Sequence, residues 1–358
     1  MKQVAQELVL LGMFDASRPD RARAVRIYNL HRALLAQAPT RLIDGDRPTR
    51  RKALLRYLAG GGLGKTRAIY VEASTSTATE LDLSFLAMAH AVGIPILIFI
   101  PDAYQYFPAL YPRVGVKTAL LDWGWRRSIA TYLRVADRLL FPSRGLANYF
   151  PTPKPVTILP PGGPAGLEPA TLNWDTPTVV YVGGANYRYG SDLLLDAMQQ
   201  VVARCPTARC HFISGDATYL DQHPARHASW LTVERRAFHE LPTVMRTATV
   251  AVVPLRINEY NDLAVPVKLF DYMAFGLPLV VTACRDTAAL VQEMQSGLVV
   301  ADQTAALADG ILRLLEDSVL AQQLGNNGYQ AIQNAHSWSH RAAALLQMVT
   351  QLEAGSGK

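Results

Sequence analysis

Twelve short apolar runs, six in each half, set the limits on what this chain can fold into. In the first half they fall at 8–13, 40–43, 68–73, 94–100, 138–141 and 156–159. In the second they fall at 178–182, 208–213, 230–233, 250–253, 279–282 and 297–300. Longer stretches of helical period separate most of them, such as ARAVRIYNLHRALLAQ and ELDLSFLAMAHAVG. Runs this apolar leave no polar face for solvent. They read as strands buried on both sides, in α/β units whose parallel sheets carry helices on both faces.

A chain of 358 residues is too long for one ordinary core. The boundary falls in PPGGPAGLEPATLNWDTP at 160–177, a stretch dense in proline and glycine between two strand candidates. The expected organisation is a first domain over 1–160, a linker over 161–177, a second domain over 178–335 and a terminal helix over 336–358. Open parallel sheets bind ligands beyond the carboxyl ends of their strands. Two such edges suit an enzyme with two substrates.

Charge is spread unevenly. Residues 1–165 hold 22 Lys and Arg against 11 Asp and Glu, whereas residues 166–358 hold 13 against 18. The first half is therefore expected to meet something anionic, unless its cations form only a solvated basic face. No aromatic-interleaved basic stripe or zinc-finger spacing points to nucleic acid. Three cysteines, Cys205, Cys210 and Cys284, without a CxxC pair indicate neither a disulfide framework nor a zinc site, so a cytoplasmic setting is expected. The opening MKQVAQELVLLGMFDAS reads as a first strand rather than a signal peptide, and no apolar run approaches the length of a membrane span.

Two motifs mislead. AGGGLGKT at 59–66 ends like a phosphate-binding P-loop. A P-loop follows a strand and opens a helix, so that amides and the helix N-terminus meet phosphate. Here a helical stretch, RRKALLRYLA, comes first and a strand, RAIYVEAS, comes after. The glycines read as a helix stop. Asp44-Gly45-Asp46 has the form of a metal and sugar-nucleotide motif but reads equally as a turn.

The informative segment is 250–282, VAVVPLRINEYNDLAVPVKLFDYMAFGLPLVVT. A strand ends at Pro254, a polar loop carries Glu259, Asn261 and Asp262, and Pro266 opens a helix that stops at Gly276. The first amides of that helix carry partial positive charge, and Lys268 adds a full one, which suits a diphosphate. Asp271, three residues on, suits the paired hydroxyls of a ribose. Spacing alone does not separate this from an ordinary Lys–Asp surface pair.

Pro266, Lys268, Asp271, Tyr272, Ala274, Gly276 and Pro278 follow a P-x-K-x-x-E-Y-x-A-x-G-x-P pattern. The segment resembles the donor-site signature of retaining glycosyltransferases of family 4, the group 1 glycosyltransferases. TVVYVGGANYRYGSDLLLDAMQQV, HELPTVMRTATVAVVPLR, VTILPPGG and HSWSHRAAALLQMVTQLE resemble further segments of that family in the same order. The resemblance covers 156–350. It implies the GT-B fold, two facing Rossmann-like domains with a C-terminal helix crossing back to the first.

It also implies an activity: metal-independent transfer of a hexosyl unit from a nucleoside diphosphate sugar, with retention, to a glycan or lipid-linked acceptor. No cofactor beyond the donor substrate is implied. On the same resemblance, Gly183, Gly184, Asn186, Arg188, Glu259, Asp262, Ala264, Val265, Lys268 and Asp271 bind the donor. Arg188, Lys268 and Asp102 act on the reacting groups, and Arg18, Arg21 and Tyr104 bind the acceptor. The sequence departs from the family at four places. Gly184 and Tyr189 stand where the family has a basic pair, Leu263 where it has a first glutamate, and Pro101 where it has a histidine. The basic first half, including Arg23, Arg126 and Arg127, suits peripheral contact with the inner face of an anionic membrane. The competing readings are an epimerase-like enzyme or a non-catalytic sugar-nucleotide binder on the same fold. A nicotinamide-dependent dehydrogenase is disfavoured, because VGGANYRYG lacks G-x-G-x-x-G spacing.

Overall fold

The computed structural model describes residues 6–17, 22–112 and 114–356. The chain forms two units, one of Met1–Pro160 with Trp338–Lys358, the other of Pro161–Ser337.

The first unit is built on β1 (Glu7–Gly12), β2 (Thr40–Ile43), β3 (Thr66–Glu72), β4 (Ile96–Phe99), β5 (Arg138–Phe141) and β6 (Val156–Ile158). They pair in parallel in the order β2-β1-β3-β4-β5-β6. Its helices are α1 (Ala22–Leu35), α2 (Arg47–Ala59), α3 (Glu80–Ala91), α4 (Val116–Val135) and the short α5 (Arg144–Ala147). The C-terminal helix, numbered α12 (Trp338–Ser356) in chain order, packs on α1. Arg67 anchors it by pairing with Glu353 at 2.8 Å. The strand expected over 94–100 is narrower, because Pro95 cannot donate to the ladder and only its carbonyl is used, by the Ile69 amide.

Both misleading motifs resolve here. Helix α2 runs up to AGGGLGKT and β3 leaves it, so no helix N-terminus follows the glycines. Lys65 reaches back to the Gly60 carbonyl at 3.3 Å. Asp46 caps α2 by accepting from the Thr49 amide, and Asp44 accepts from the Ala16 amide at 2.7 Å. The acidic pair thus holds a turn.

The second unit is built on β7 (Thr178–Val182), β8 (Arg209–Ile213), β9 (Leu231–Glu234), β10 (Val250–Val253), β11 (Leu279–Thr282) and β12 (Gly297–Val300). Its helices are α6 (Ser191–Arg204), α7 (Leu241–Arg246), α8 (Val267–Ala274), α9 (Arg285–Glu293), α10 (Thr304–Glu316) and α11 (Ser318–Ala331). Alternate residues feed two cores. Val179, Tyr181, Val252 and Val280 pack with α6 and α10 on one face, while Val180, Ala251, Val253 and Val281 pack with α8 on the other. That double burial is why these strands read as continuous apolar runs.

The strand order is β12-β11-β10-β7-β8-β9, all parallel. The chain moves outward from β7 to β9 and then returns to the other side of β7 at β10. The switch point therefore lies between the carboxyl ends of β7 and β10, where a doubly wound sheet binds its ligand.

The proline-rich stretch after residue 160, expected as a linker, is laid down on the second unit. The Gly163 amide donates to His336, the Ala170 amide to Phe275, and the Tyr329 hydroxyl to the Leu167 carbonyl. Proline keeps this stretch out of the sheet, but its other backbone groups still need partners.

Candidate functional site

Two loops and one helix N-terminus meet at the switch point of the second unit. The loop after β7 turns at Gly183, whose φ is +155°. A Cβ there would lie 2.3 Å from the Lys268 ammonium, so only glycine lets that cation rest against the turn. The loop re-enters a helix at Gly190, with φ +67°. A Cβ at Gly190 would lie 1.6 Å from the Pro254 carbonyl oxygen. The loop after β7 and the chain leaving β10 are therefore in direct backbone contact.

Local bonds hold the β7 loop in shape. The Asn186 side chain accepts from the Tyr189 amide at 3.2 Å, and the Asn186 amide donates to Ser191 Oγ at 3.1 Å. The Tyr181 hydroxyl donates to the Gly184 carbonyl at 2.8 Å. Asn261, buried in the opposite loop, donates through Nδ2 to the carbonyls of Arg188 at 3.0 Å and Arg256 at 2.7 Å. One amide side chain thus ties the two loops together.

Helix α8 starts at Val267 with Pro266 before it and no side-chain cap, which leaves its first amides available. Its placement is set by Tyr272, whose hydroxyl accepts from the Val182 amide at 2.7 Å. The helix is thereby pinned to the last residue of β7, with Lys268 beside the Gly183 turn. The Lys268 ammonium lies 4.1 Å from the Tyr181 ring centre and 5.9 Å from that of Tyr189. No carboxylate pairs with it among the described residues, and burial pulls it down from the ordinary lysine range to about 7. Asp271 lies one turn on, half-buried, and no hydrogen bond to its carboxylate is formed among the described residues. Burial pushes it up to about 7. A cation and an acid on one helix, both without partners among the described residues and both perturbed by burial, make this a candidate ligand site.

The other expected donor residues fall as follows. Arg188 lies in the β7 loop, where its carbonyl accepts from Arg256 and Asn261. Ala264 and Val265 lead into α8, and the Ala264 carbonyl accepts from Thr287 Oγ at 2.7 Å. Asp262 accepts from the Arg285 amide at 3.0 Å, so one of its oxygens serves the start of α9. Glu259 is exposed. Gly184 is covered by the Tyr189 ring, 2.7 Å from where a Cβ would stand.

In the first unit, Asp102 follows β4 and accepts from Arg23 Nη2 at 2.9 Å and from the Tyr104 amide at 3.2 Å. Tyr104 packs its ring against Tyr111, 5.6 Å between centres. Arg18 and Arg21 lie outside the described residues.

Sequence reasoning gave four residues no role of their own, although it named Asn261 and Tyr272 in passing. Tyr181 underlies Lys268, Tyr272 fixes α8, and Asn261 joins the loops. Arg256 adds a second cation beside the β7 loop, pairing with Asp192 at 2.5 Å and lying over the Tyr187 ring at 5.0 Å. The one available signal was the site's need for a second cation, which an arginine two residues beyond the Pro254 strand end answers.

The fold class follows from comparison with solved structures. The fold superposes on sucrose-phosphate synthase of Thermosynechococcus elongatus with a TM-score of 0.72 and 19% identity, covering 98% of this chain and 100% of that one. It superposes on HepE of Anabaena, solved with UDP and glucose, with a TM-score of 0.67 and 14% identity, covering 96% and 99%. The fold is that of the GT-B glycosyltransferase structures. More particularly, residues 176–317 match the family described as glycosyl transferases group 1. Over 188 residues the chain is 30% identical to the phosphatidyl-myo-inositol mannosyltransferase of Mycobacterium tuberculosis, covering 50% of this chain and 48% of that protein. The match thus spans about half the length of the curated relatives.

Proposed function

We propose that the protein is a nucleotide-sugar-dependent hexosyltransferase that retains anomeric configuration, needs no metal and acts on a glycan or lipid-linked acceptor on the cytoplasmic side of a membrane. One observation carries the reading: an unpaired lysine ammonium rests against the glycine turn at the switch point of the second unit. That is where an anionic ligand would lie, and the HepE structure, solved with UDP and glucose, supports the choice of ligand.

In this reading Lys268, Arg188 and the first amides of α8 hold the diphosphate. The backbone of Gly183, Gly184, Ala264 and Val265 shapes its pocket, and Asp271 receives the ribose hydroxyls. The bond between the anomeric carbon and the phosphate oxygen breaks with its electron pair leaving on the diphosphate. The acceptor hydroxyl oxygen bonds to that carbon from the same face, and its proton passes to the departing phosphate oxygen. Charge grows on the diphosphate in the transition state, and fixed cations and helix-end amides stabilise it there. Lys268, near neutrality when the site is empty, becomes fully protonated beside the dianion.

The test is thermal stabilisation by a panel of nucleoside diphosphates and their sugars without added metal. Ligand at a hundred times its Kd stabilises by about 2.7 kcal/mol. A selective shift with one nucleotide sugar, lost in Lys268→Ala and Asp271→Ala, is expected. A shift with ATP alone, lost in Lys65→Ala, would refute the reading. Binding of a sugar nucleotide without formation of any glycosylated product would identify a binding protein instead.

A further inference from the structure

The first two turns of α4 bury almost nothing. Val114 and Val116 are 87% and 78% exposed, and Leu120 and Trp123 are both 64% exposed. Val116, Leu120, Trp123 and Arg127 follow each other at steps of four, three and four, so they share one face of the helix. Isolated exposed apolar side chains are ordinary, but an aligned stripe ending in an exposed tryptophan marks a binding surface.

The stripe borders a basic surface. Arg127 lies over the Trp123 ring at 5.9 Å and pairs with Glu80 on α3. Glu80 and Ser84 line two adjoining grooves, one between α3 and α4, the other between α2 and α3. The second groove, about 940 Å³, is walled by Arg47, Arg51, Lys52 and Arg56. Leu55, 49% exposed, lies in the same wall. Together α2, α3 and α4 carry nine arginines and lysines against three carboxylates. Two of those carboxylates are already taken, Asp82 by Arg50 and Glu80 by Arg127. An apolar stripe flanked by uncompensated cations is the pattern of an interfacial element, which buries its side chains among acyl chains while its cations meet phosphate headgroups. Among the described residues no helix is long and apolar enough to cross a membrane, so the contact would be one of lying on the surface.

We infer that the α2–α4 face docks on an anionic lipid bilayer, with Val116, Leu120 and Trp123 inserted and Arg47, Arg51, Lys52 and Arg56 of α2 over the headgroups. The inference rests on the lipid-linked acceptor reading for its purpose, but its test uses neither donor nor acceptor, so each can fail without the other.

The test is co-sedimentation of the full chain with phosphatidylcholine vesicles, with and without phosphatidylglycerol. Binding is expected only with phosphatidylglycerol, and it weakens as salt is raised. Each interfacial cation contributes about fivefold, so Arg51→Gln with Lys52→Gln should weaken binding roughly thirtyfold. Leu120→Ser with Trp123→Ser should weaken it about a hundredfold through lost apolar burial. These side chains are exposed, so both double variants keep the wild-type melting temperature and nucleotide-induced stabilisation. Equal binding to neutral vesicles, or binding untouched by either double variant, overturns the inference. So does a dimer in lipid-free solution that Leu120→Ser with Trp123→Ser converts to monomer, since the face would then belong to a second copy of the chain.

Discussion

If Lys268 meets the phosphates, the affinity for a nucleoside diphosphate should depend on pH. Among the described residues its ammonium has no carboxylate partner, and burial holds it at about 7. Tyr181 from β7 and Tyr189 from the following loop present rings to it, and Asp271 is the nearest acid on its own helix. A bound diphosphate would surround the ammonium with negative charge and return the lysine toward its ordinary value. Above about pH 7 binding must then take up a proton, and the apparent Kd rises as pH rises. With a free-state value near 7 and a bound-state value of roughly 10, Kd weakens about fiftyfold between pH 7 and 9. The diphosphate itself is fully ionised over that range, its last proton leaving at about pH 6, so it adds no slope of the same sign. Isothermal titration calorimetry in buffers of different ionisation enthalpy counts the protons directly. Close to one proton should be taken up per ligand at about pH 8.5. Lys268→Arg keeps its charge throughout and should bind without proton uptake. A Kd constant from pH 7 to 9 in the wild type, or an equal slope in Lys268→Arg, would show that Lys268 does not meet the phosphates.

Other substitutions test the rest of the site. Asp271 is held up at about 7 by burial, above its unfolded value, so its ionised form costs stability as pH rises from about 4 through 7. Asp271→Asn should therefore stabilise the fold at pH 8 by about 1–2 kcal/mol after allowance for its partial exposure, seen as a higher melting temperature, while weakening nucleotide binding; a lower melting temperature at pH 8 would count against the burial argument. Gly190→Ala places a Cβ 1.6 Å from the Pro254 carbonyl at a positive φ. Urea unfolding should show a loss of roughly 2–4 kcal/mol. Asn261→Ala removes both bonds that join the loops, costing about 2 kcal/mol in unfolding and about tenfold in nucleotide affinity. Asn261→Asp should not restore either, because a carboxylate cannot donate to the Arg188 and Arg256 carbonyls.

The two parallel sheets could be read directly from the chain. A strand covered on both faces must be apolar throughout, and β10 and β11 are buried at every position. The order of helix and strand around AGGGLGKT is equally local, and that order alone is incompatible with a P-loop. The helix carrying Lys268 and Asp271 could be found from Pro266 and Gly276, since those residues mark where a helix can begin and end. What these two side chains meet could not be found that way. The Tyr272 hydroxyl fixes α8 to a strand 90 positions earlier, and Asn261 reaches a carbonyl 73 positions earlier. Local pattern is blind to contacts at such separations.

Asp262 and the proline-rich stretch show the same limit. As a sequence, Asp262 is a loop acid open to a sugar; in the fold one of its oxygens serves the first amide of α9. The stretch after residue 160 has the composition of a linker, yet its carbonyls and amides are taken up by the second unit. By itself the sequence determined which segments must be buried and where each begins and ends, because burial and backbone limits are written residue by residue. Only the tertiary structure decided that Lys268 would rest beside the Gly183 turn, and that it and Asp271 would lack partners among the described residues, because whether a charge finds a partner depends on what distant segments bring to it.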